Sequence, residues 1–543
     1  MTTRLATARA SRAAQAITVD GRHLTLDDVA HVSRSGASVA LSSDARKVMQ
    51  ASRQVAQEHV ARGEPIYGVT TGFGDSAHRQ IDPAKACALQ ARLIESLGQG
   101  TGTATPIATT RAVMLIRANN LARGYSGVRP VLVQRLLEML NAAITPVIPE
   151  EGSVGASGDL VPLSNLAAAL TGGRLAHYRG RVCLASEALR AEGLDRIVLE
   201  PKEGLAVVNG TAFMAGFAAL AAVDARRLAL VSDICTAMCV EVLGGTTGAF
   251  DPFLHDVAKP HPGQMRSAAD IRALLEGSEL ATPYDRFLGQ LGTTDGRYRE
   301  LPYRVQDKYS IRCAPQFTGV LWDVVEWVDR WLDVEINSSN DNPLFDTKSG
   351  AVHSGGNFAG GHVALAMDAL KTAVASVGDL MDRQLELIVD EKFSNGLTPN
   401  LIPRFPAGHP EEGLNHGFKA MQLACSSLCA EALSKCMPLT VFSRSTECHN
   451  QDKVSMGATA ARQARDVVEL VEKVAAIHVI ALCQAADLRG PEKLGRTRIV
   501  YDRVRSKVAR LDIDRPMAND IAKVVDMARD GTLTAGLGIR ETT

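Results

Sequence analysis

The sequence is short of net charge, of aromatics, of cysteine and of long hydrophobic runs, and each shortage narrows what the chain can be. Lys and Arg number 59 against 60 Asp and Glu, a formal net charge of -1, so no global field favours nucleic acid or an anionic membrane surface. No run as long as the roughly 18 residues needed to cross a bilayer is free of charge, and Met1 to Ala16 holds no continuous apolar segment of signal-peptide length. These absences lead to a cytoplasmic protein with no membrane and no nucleic-acid partner. Residues 1–16, rich in Ala, Ser, Thr and Arg, read as a flexible tail. Ten cysteines in 543 residues, several inside apolar runs such as Met238-Cys239-Val240, suit buried thiols in a reducing compartment better than a disulfide scaffold. A Cys-x-x-Cys pair and a His-Glu-x-x-His helix are both missing, and Cys448-His449 has no partners at ligand spacing, so no metal is expected.

What is present is helical. Aromatics make up only 4% while Ala and Leu abound, which favours close-packed helices over a β-sandwich. From Val320 to Ile336 the apolar residues fall at 320, 321, 324, 325, 328, 331 and 332, a three-and-four spacing that marks one buried stripe. Two further runs, Val363 to Glu391 and Ala460 to Leu488, carry the same period, and three such helices in one half of the chain predict a long-helix bundle. Broad apolar faces on bundles of that length are often buried in oligomers. Between the helices lie loops rich in Gly, Asn and Pro, at 65–74, 150–158, 204–211, 337–343, 354–357 and 395–403, and in a helical chain such loops are where a site is assembled. The chain divides into the tail, an N-terminal domain over 17–200 and a helical bundle over 201–543.

The most informative loop is Gly152-Ser153-Val154-Gly155-Ala156-Ser157-Gly158-Asp159-Leu160. An isolated Ala-Ser-Gly is usually a turn before a capped helix. Here the run, with Pro162 soon after, resembles the self-processing loop of the histidine, phenylalanine and tyrosine ammonia-lyases. That resemblance implies a methylidene-imidazolone cofactor formed autocatalytically from Ala156, Ser157 and Gly158, with no metal and no separate organic cofactor. Gly158 offers an unobstructed amide nitrogen to attack the Ala156 carbonyl in a compressed turn, ring closure and the Ser157 side chain each losing one water. Tyr67, in Ile66-Tyr67-Gly68-Val69-Thr70-Thr71-Gly72, is similar to the family's catalytic base. Its ordinary pKa near 10 calls for cationic groups or helix N-termini close by to favour the phenoxide.

Further segments continue the likeness to about the C-terminus. Asn209 in Val208-Asn209-Gly210-Thr211 matches the asparagine on the substrate's carboxylate or amine side. Gln306 and Tyr309 precede Arg312 in a Tyr-Ser-x-Arg pattern, with Arg312 fitting a bidentate carboxylate clamp. Phe358 stands as an aromatic wall, and Asn450 and Gln451 resemble the polar pair before a long helix. Membership implies the mainly α fold of the fumarase and ammonia-lyase superfamily, and a homotetramer whose active sites combine loops from more than one subunit.

The ring to be bound turns on two departures. Histidine lyases resemble Ser-His where this chain has Ser96-Leu97, and carry glutamate where Gln451 aligns, so two imidazole-directed groups are missing. Phenylalanine and tyrosine lyases resemble Phe-Leu and His-Leu there, and Leu97 fits both. Ser96, small and able to hydrogen-bond, suits a ring bearing a polar substituent. The expected activity is thus elimination of ammonia from tyrosine, phenylalanine or a ring-substituted analogue. A 2,3-aminomutase, which shares the same motifs, stays open as the alternative, and histidine is the less favoured substrate. If Ser96 faces the ring, Ser96→Phe should shift preference toward phenylalanine, moving the tyrosine-to-phenylalanine ratio of kcat/KM by roughly 2- to 13-fold, the worth of one neutral hydrogen bond. Kinetics on both substrates check this, and a ratio that moves by less than about twofold would remove Ser96 from ring recognition.

Overall fold

In the computed structural model the described residues are 16–292, 296–301 and 304–539. The tail expected over 1–16 lies, apart from Ala16, outside them. The chain is mainly helical, as composition and periodicity lead one to expect, and its strands are two to four residues long in sheets of two or three. It divides into two units: Met1–Val223, Val328–Asp368 and Pro438–Arg465 form the first, and Asp224–Trp327, Ala369–Met437 and Asp466–Thr543 the second. The segment 17–200 lies wholly within the first.

In the first unit, helix α1 (Leu26–Ser35) starts at Thr25 with a reciprocal capping box to Asp28, which satisfies two amides that have no helical partner. Helix α2 (Ala86–Ser96) ends at the proposed ring-recognition residue. Helix α3 (Ile107–Ala122) is buried almost all round and carries Arg111, Arg117, Asn119 and Asn120 inward. Charged and amide groups there need partners, and Arg117 finds them in Asn340 Oδ1 at 2.7 Å, the Asn209 carbonyl at 2.8 Å and the Ala206 carbonyl. Burial lowers its pKa to about 10. Helix α4 (Leu160–Leu170) follows Asp159 directly, and the short α5 (Glu203–Val208) ends at Asn209. Gln90 on α2 joins these parts: its Nε2 donates to the Gly68 carbonyl at 2.9 Å, and its Oε1 accepts from Leu205 N at 2.9 Å.

Four long helices follow, α6 (Ala212–Leu243), α7 (Ala314–Ile336), α8 (Gly361–Val389) and α9 (Gly457–Arg489). The last three are the ones that periodicity finds. On α7 the buried stripe is Leu321, Trp322, Val325, Val328, Leu332 and Ile336, whereas Val320 is exposed. Helix α6 escapes a search for stripes because it is buried on nearly every side, so apolar and polar faces do not alternate.

All ten cysteines are unpaired. Among the described residues no helix is long and apolar enough to cross a membrane, and no group of His, Cys, Asp and Glu is arranged to hold a metal.

Within the second unit, His478 is fully buried, its Nε2 3.2 Å from Gln384 Oε1 and 3.4 Å from Cys239 Sγ. Burial pushes this imidazole from 6.5 down to about 3. The fold therefore binds fewer protons here than the unfolded chain, and the stability that the neutral ring contributes is lost as pH falls from about 6.5 toward about 3. Denaturant midpoints measured across that window should fall less steeply for His478→Gln than for the parent, and equal slopes would show that His478 is not a principal acid-labile group.

Candidate active site

The site is built around the 153–158 loop, and its neighbours arrive from three places in the sequence. Gly158 has φ +69°, a left-handed conformation open to glycine at no steric cost. A Cβ there would lie 2.1 Å from the Gly210 carbonyl oxygen. This close approach lets Gly158 and Gly210 form an isolated parallel bridge, with Asp159 N donating to Gly210 O at 2.8 Å. Two carboxamides converge on Ser157: Asn209 Nδ2 donates to its carbonyl at 2.8 Å and Gln451 Nε2 to its hydroxyl at 3.2 Å. The other end of the Asn209 amide accepts from Asn342 N at 2.8 Å, so one N–H of that side chain is left over among the described residues.

Asp159 anchors the loop's exit. It is fully buried, accepting from Ser153 Oγ at 2.7 Å and from Met214 N at 2.8 Å. Burial nonetheless dominates and lifts its carboxyl to about 7. The loop's entry is held by the 446–456 segment: Ser455 Oγ donates to the Gly155 carbonyl at 2.9 Å, and Met456 N to the Val154 carbonyl at 3.0 Å.

Tyr67 lies in a loop that Thr70 and Thr71 fold upon itself, with Ile66 N donating to Thr70 Oγ1 at 2.8 Å and Gly68 N to Thr71 Oγ1 at 3.1 Å. Its hydroxyl accepts from Gly74 N at 3.0 Å, the first amide of the helical turn Gly74–His78. Of the two features that would favour the phenoxide, a helix start is therefore present, and among the described residues no cation acts on the phenol. Burial first raises its pKa, the Gly74 amide lowers it in part, and the Glu447 carboxylate raises it further. The net direction is above the ordinary value, so the environment within this chain favours the neutral phenol.

The remaining candidates fall into two groups. Ser96 and Leu97 end α2; the Ser96 hydroxyl donates to the Leu93 carbonyl of its own helix at 2.9 Å, and the Leu97 carbonyl accepts from Ser164 on α4 at 3.1 Å. Phe358 is half-buried, in a loop fastened to 337–343 by Gly355 N on Asn342 Oδ1 at 2.8 Å. Asn450 is exposed and donates to Glu447 Oε2 at 2.8 Å. Gln306, Tyr309 and Arg312 belong instead to the second unit. There Asp307 accepts from Thr246 N at 2.9 Å and Gln384 donates to the Ser310 carbonyl at 2.9 Å, which fixes the turn. The Arg312 guanidinium lies 4.5 Å over the Tyr309 ring, and its Nε is buried with no hydrogen-bond partner among the described residues.

Sequence reasoning gave no role to Glu447, Asp159, Gln90 or Arg117. Arg117 carries a signal, a charge within the otherwise apolar run of α3. Glu447 carries none, because its bond from Asp75 N is made across 372 residues of sequence separation.

The family model described as aromatic amino acid lyase matches residues 24–506. A histidine ammonia-lyase of Streptococcus sanguinis (strain SK36) is 40% identical over 503 residues, 92% of this chain and 93% of that protein. The solved tyrosine aminomutase from Streptomyces globisporus is 35% identical, with a TM-score of 0.90 over 96% of this chain and 98% of its own. Histidine ammonia-lyase from Trypanosoma cruzi is 34% identical, with a TM-score of 0.85 over 96% and 95%.

The residues around Ser157 fit a cyclised tripeptide: Ala156 is small, Gly158 has no space for a side chain, and an amide donor rests on the Ser157 carbonyl. Gly158→Ala should cost about 1–2 kcal/mol in backbone conformation alone and force the Gly210 bridge open. The expected result is a lower unfolding midpoint and, by peptide mass, no loss of two waters from 156–158; a variant that matches the parent in both would show that the turn needs no glycine.

Proposed function

Because the chain belongs to the aromatic amino acid lyase family, we propose that it eliminates ammonia from L-tyrosine, L-phenylalanine or a ring-substituted analogue to give the trans-arylacrylate, coumarate or cinnamate for the first two. That it is a carbon–nitrogen lyase follows from its ammonia-lyase and aminomutase relatives. The observation that carries the finer reading is the convergence of Asn209 and Gln451 on Ser157 beside a Gly158 that admits no side chain. A methylidene-imidazolone made from Ala156, Ser157 and Gly158 would supply the electrophile that lets an amine depart as ammonia.

The chain's own groups do the rest. Tyr67 takes the β-proton at its phenolic oxygen, and since burial and Glu447 hold that phenol above its ordinary pKa, the ionised base gains population as pH rises. Arg312 meets the substrate carboxylate with a planar fork. The spare N–H of Asn209 serves the amine or carboxylate side. Phe358 walls the ring, Ser96 and Leu97 meet its far edge, and Gln306, Tyr309, Asn450 and Gln451 complete the polar lining. The reading carries with it a cytoplasmic homotetramer with sites shared between copies.

Two other readings have support of their own. The 40% identical relative is a histidine ammonia-lyase, which favours histidine, while Leu97 and Gln451 oppose it. The likeness to a tyrosine aminomutase favours retention of ammonia and its return to the β-carbon. Incubation with histidine, phenylalanine, tyrosine and meta-substituted analogues, followed by acrylate absorbance and mass spectrometry, separates all three. Arylacrylate from tyrosine or phenylalanine is expected; the imidazole acrylate alone would move the substrate to histidine, and β-amino acid would make the enzyme a mutase. Tyr67→Phe should lower kcat by roughly 100-fold or more with the electrophile's absorbance intact, and near-parental turnover would take the base away from Tyr67.

A further inference from the structure

Glu447 opens the family-like segment that carries Asn450 and Gln451, where the sequence gives it no role of its own, yet its carboxylate occupies a specific place. Its Oε1 accepts from Asp75 N at 3.3 Å, and its Oε2 accepts from Asn450 Nδ2 at 2.8 Å. The same Oε1 lies where a Cβ on Gly74 would be, only 1.5 Å from that position, so the carboxylate rests directly on the Gly74 α-carbon. Gly74 in turn gives its N–H to the Tyr67 oxygen. The backbone that presents Glu447 is unusual: Glu447, Cys448 and His449 are all left-handed, at φ 53°, 52° and 63°, a conformation that L-residues hold only where surrounding contacts fix it. Those contacts are the Thr446–Gln451 bridge and the bond from Asn450 N to the Glu447 carbonyl. Further along the same segment, Ser455 and Met456 are bonded to Gly155 and Val154.

We propose that Glu447 is a positioning residue for Tyr67: from the segment that grips the 153–158 loop, it clamps the start of the Gly74–His78 turn so that Gly74 keeps its amide on the phenolic oxygen. The inference rests on Tyr67 being the base, and its test does not depend on turnover. Two consecutive amides divide the labour, Gly74 N serving Tyr67 and Asp75 N serving Glu447. Three other titratable groups on these elements have partners of their own: Ser76 Oγ donates to the Asp75 carboxylate at 3.4 Å, the His78 ring meets the Asp75 carbonyl at 2.9 Å, and the His449 ring meets Ser445 Oγ at 2.8 Å. Glu447 is the one charge that acts on the Tyr67 phenol among the described residues, and its sign opposes the phenoxide. The clamp therefore acts in two ways, by geometry through Asp75 N and by charge on Tyr67.

Glu447→Gln keeps an acceptor for Asp75 N and removes the charge, whereas Glu447→Ala removes both. Phenol ionisation is read by ultraviolet difference titration of the full-length protein, with Tyr67→Phe identifying which part of the signal belongs to Tyr67. In Glu447→Gln the Tyr67 midpoint should fall by roughly 0.5 pH unit or more, and if Tyr67 is the base the alkaline rise in kcat/KM should move with it. Glu447→Ala should also lower kcat by more than KM changes, because the Gly74 amide is no longer held in place. A Tyr67 midpoint unmoved in Glu447→Gln would overturn the electrostatic part. A Glu447→Ala enzyme with parental kcat would overturn the clamp. A shifted midpoint without any shift in the rate profile would leave Glu447 as Tyr67's partner and refute instead the reading of Tyr67 as base.

Discussion

The structure around Ser157 depends on one side chain used at both ends. Asn209 has a donor and an acceptor in its carboxamide, and it gives one to the Ser157 carbonyl and the other to Asn342 N. Its backbone carbonyl takes a third bond from Arg117, so the residue joins the 153–158 loop, the 337–343 loop and α3 at one point. A carboxylate there could accept but not donate, and an aliphatic group could do neither. The carboxylate would leave the Ser157 carbonyl without its donor, and the aliphatic group would in addition leave the buried Asn342 amide without an acceptor.

Arg117 extends that constraint downward. A guanidinium with no exposure needs partners for its donors, and here both terminal nitrogens find them in oxygens that belong to the site's scaffold, those of Asn340, Ala206 and Asn209. Asn340 Nδ2 passes the arrangement on to Thr211 Oγ1 at 2.8 Å. Nearby, Lys202 and Asp341 form a second fully buried pair, with Ser126 Oγ donating to the same carboxylate at 2.8 Å. Loops rich in Gly and Asn would move on their own. These buried charges fix them, because displacing any one loop would strand a charge in a medium that solvates it poorly.

This division explains what the sequence made legible. The three amphipathic helices were readable because each shows one apolar face, and α7 buries that face through Leu321, Val325, Val328 and Leu332. Helix α6 was not, since Ala212–Leu243 is buried nearly all round and presents no stripe. At the site, Ala156, Ser157, Gly158, Tyr67 and Asn209 stood out through glycine-rich settings that short-range reading can recognise. Glu447, Gln90 and Asp159 act through contacts made only on folding, such as Gln90 reaching both Gly68 and Leu205. The direction in which the Tyr67 phenol is shifted was not legible for the same reason, because the balance of burial against one backbone amide is a tertiary quantity.

That balance suits the proposed chemistry. A β-proton next to an aromatic ring is weakly acidic, and a base strong enough to take it must have a high pKa in its conjugate acid form, so an environment that lowered the Tyr67 pKa far would also weaken the base. Burial and Glu447 keep the phenol high, and the Gly74 amide offsets them without adding a full charge. An amino acid arriving at the site carries an ammonium group of its own, and a cation in a partly dehydrated space favours a phenoxide strongly. On this account the free enzyme holds Tyr67 neutral, and it is the substrate's charge that shifts the proton balance toward the ionised base.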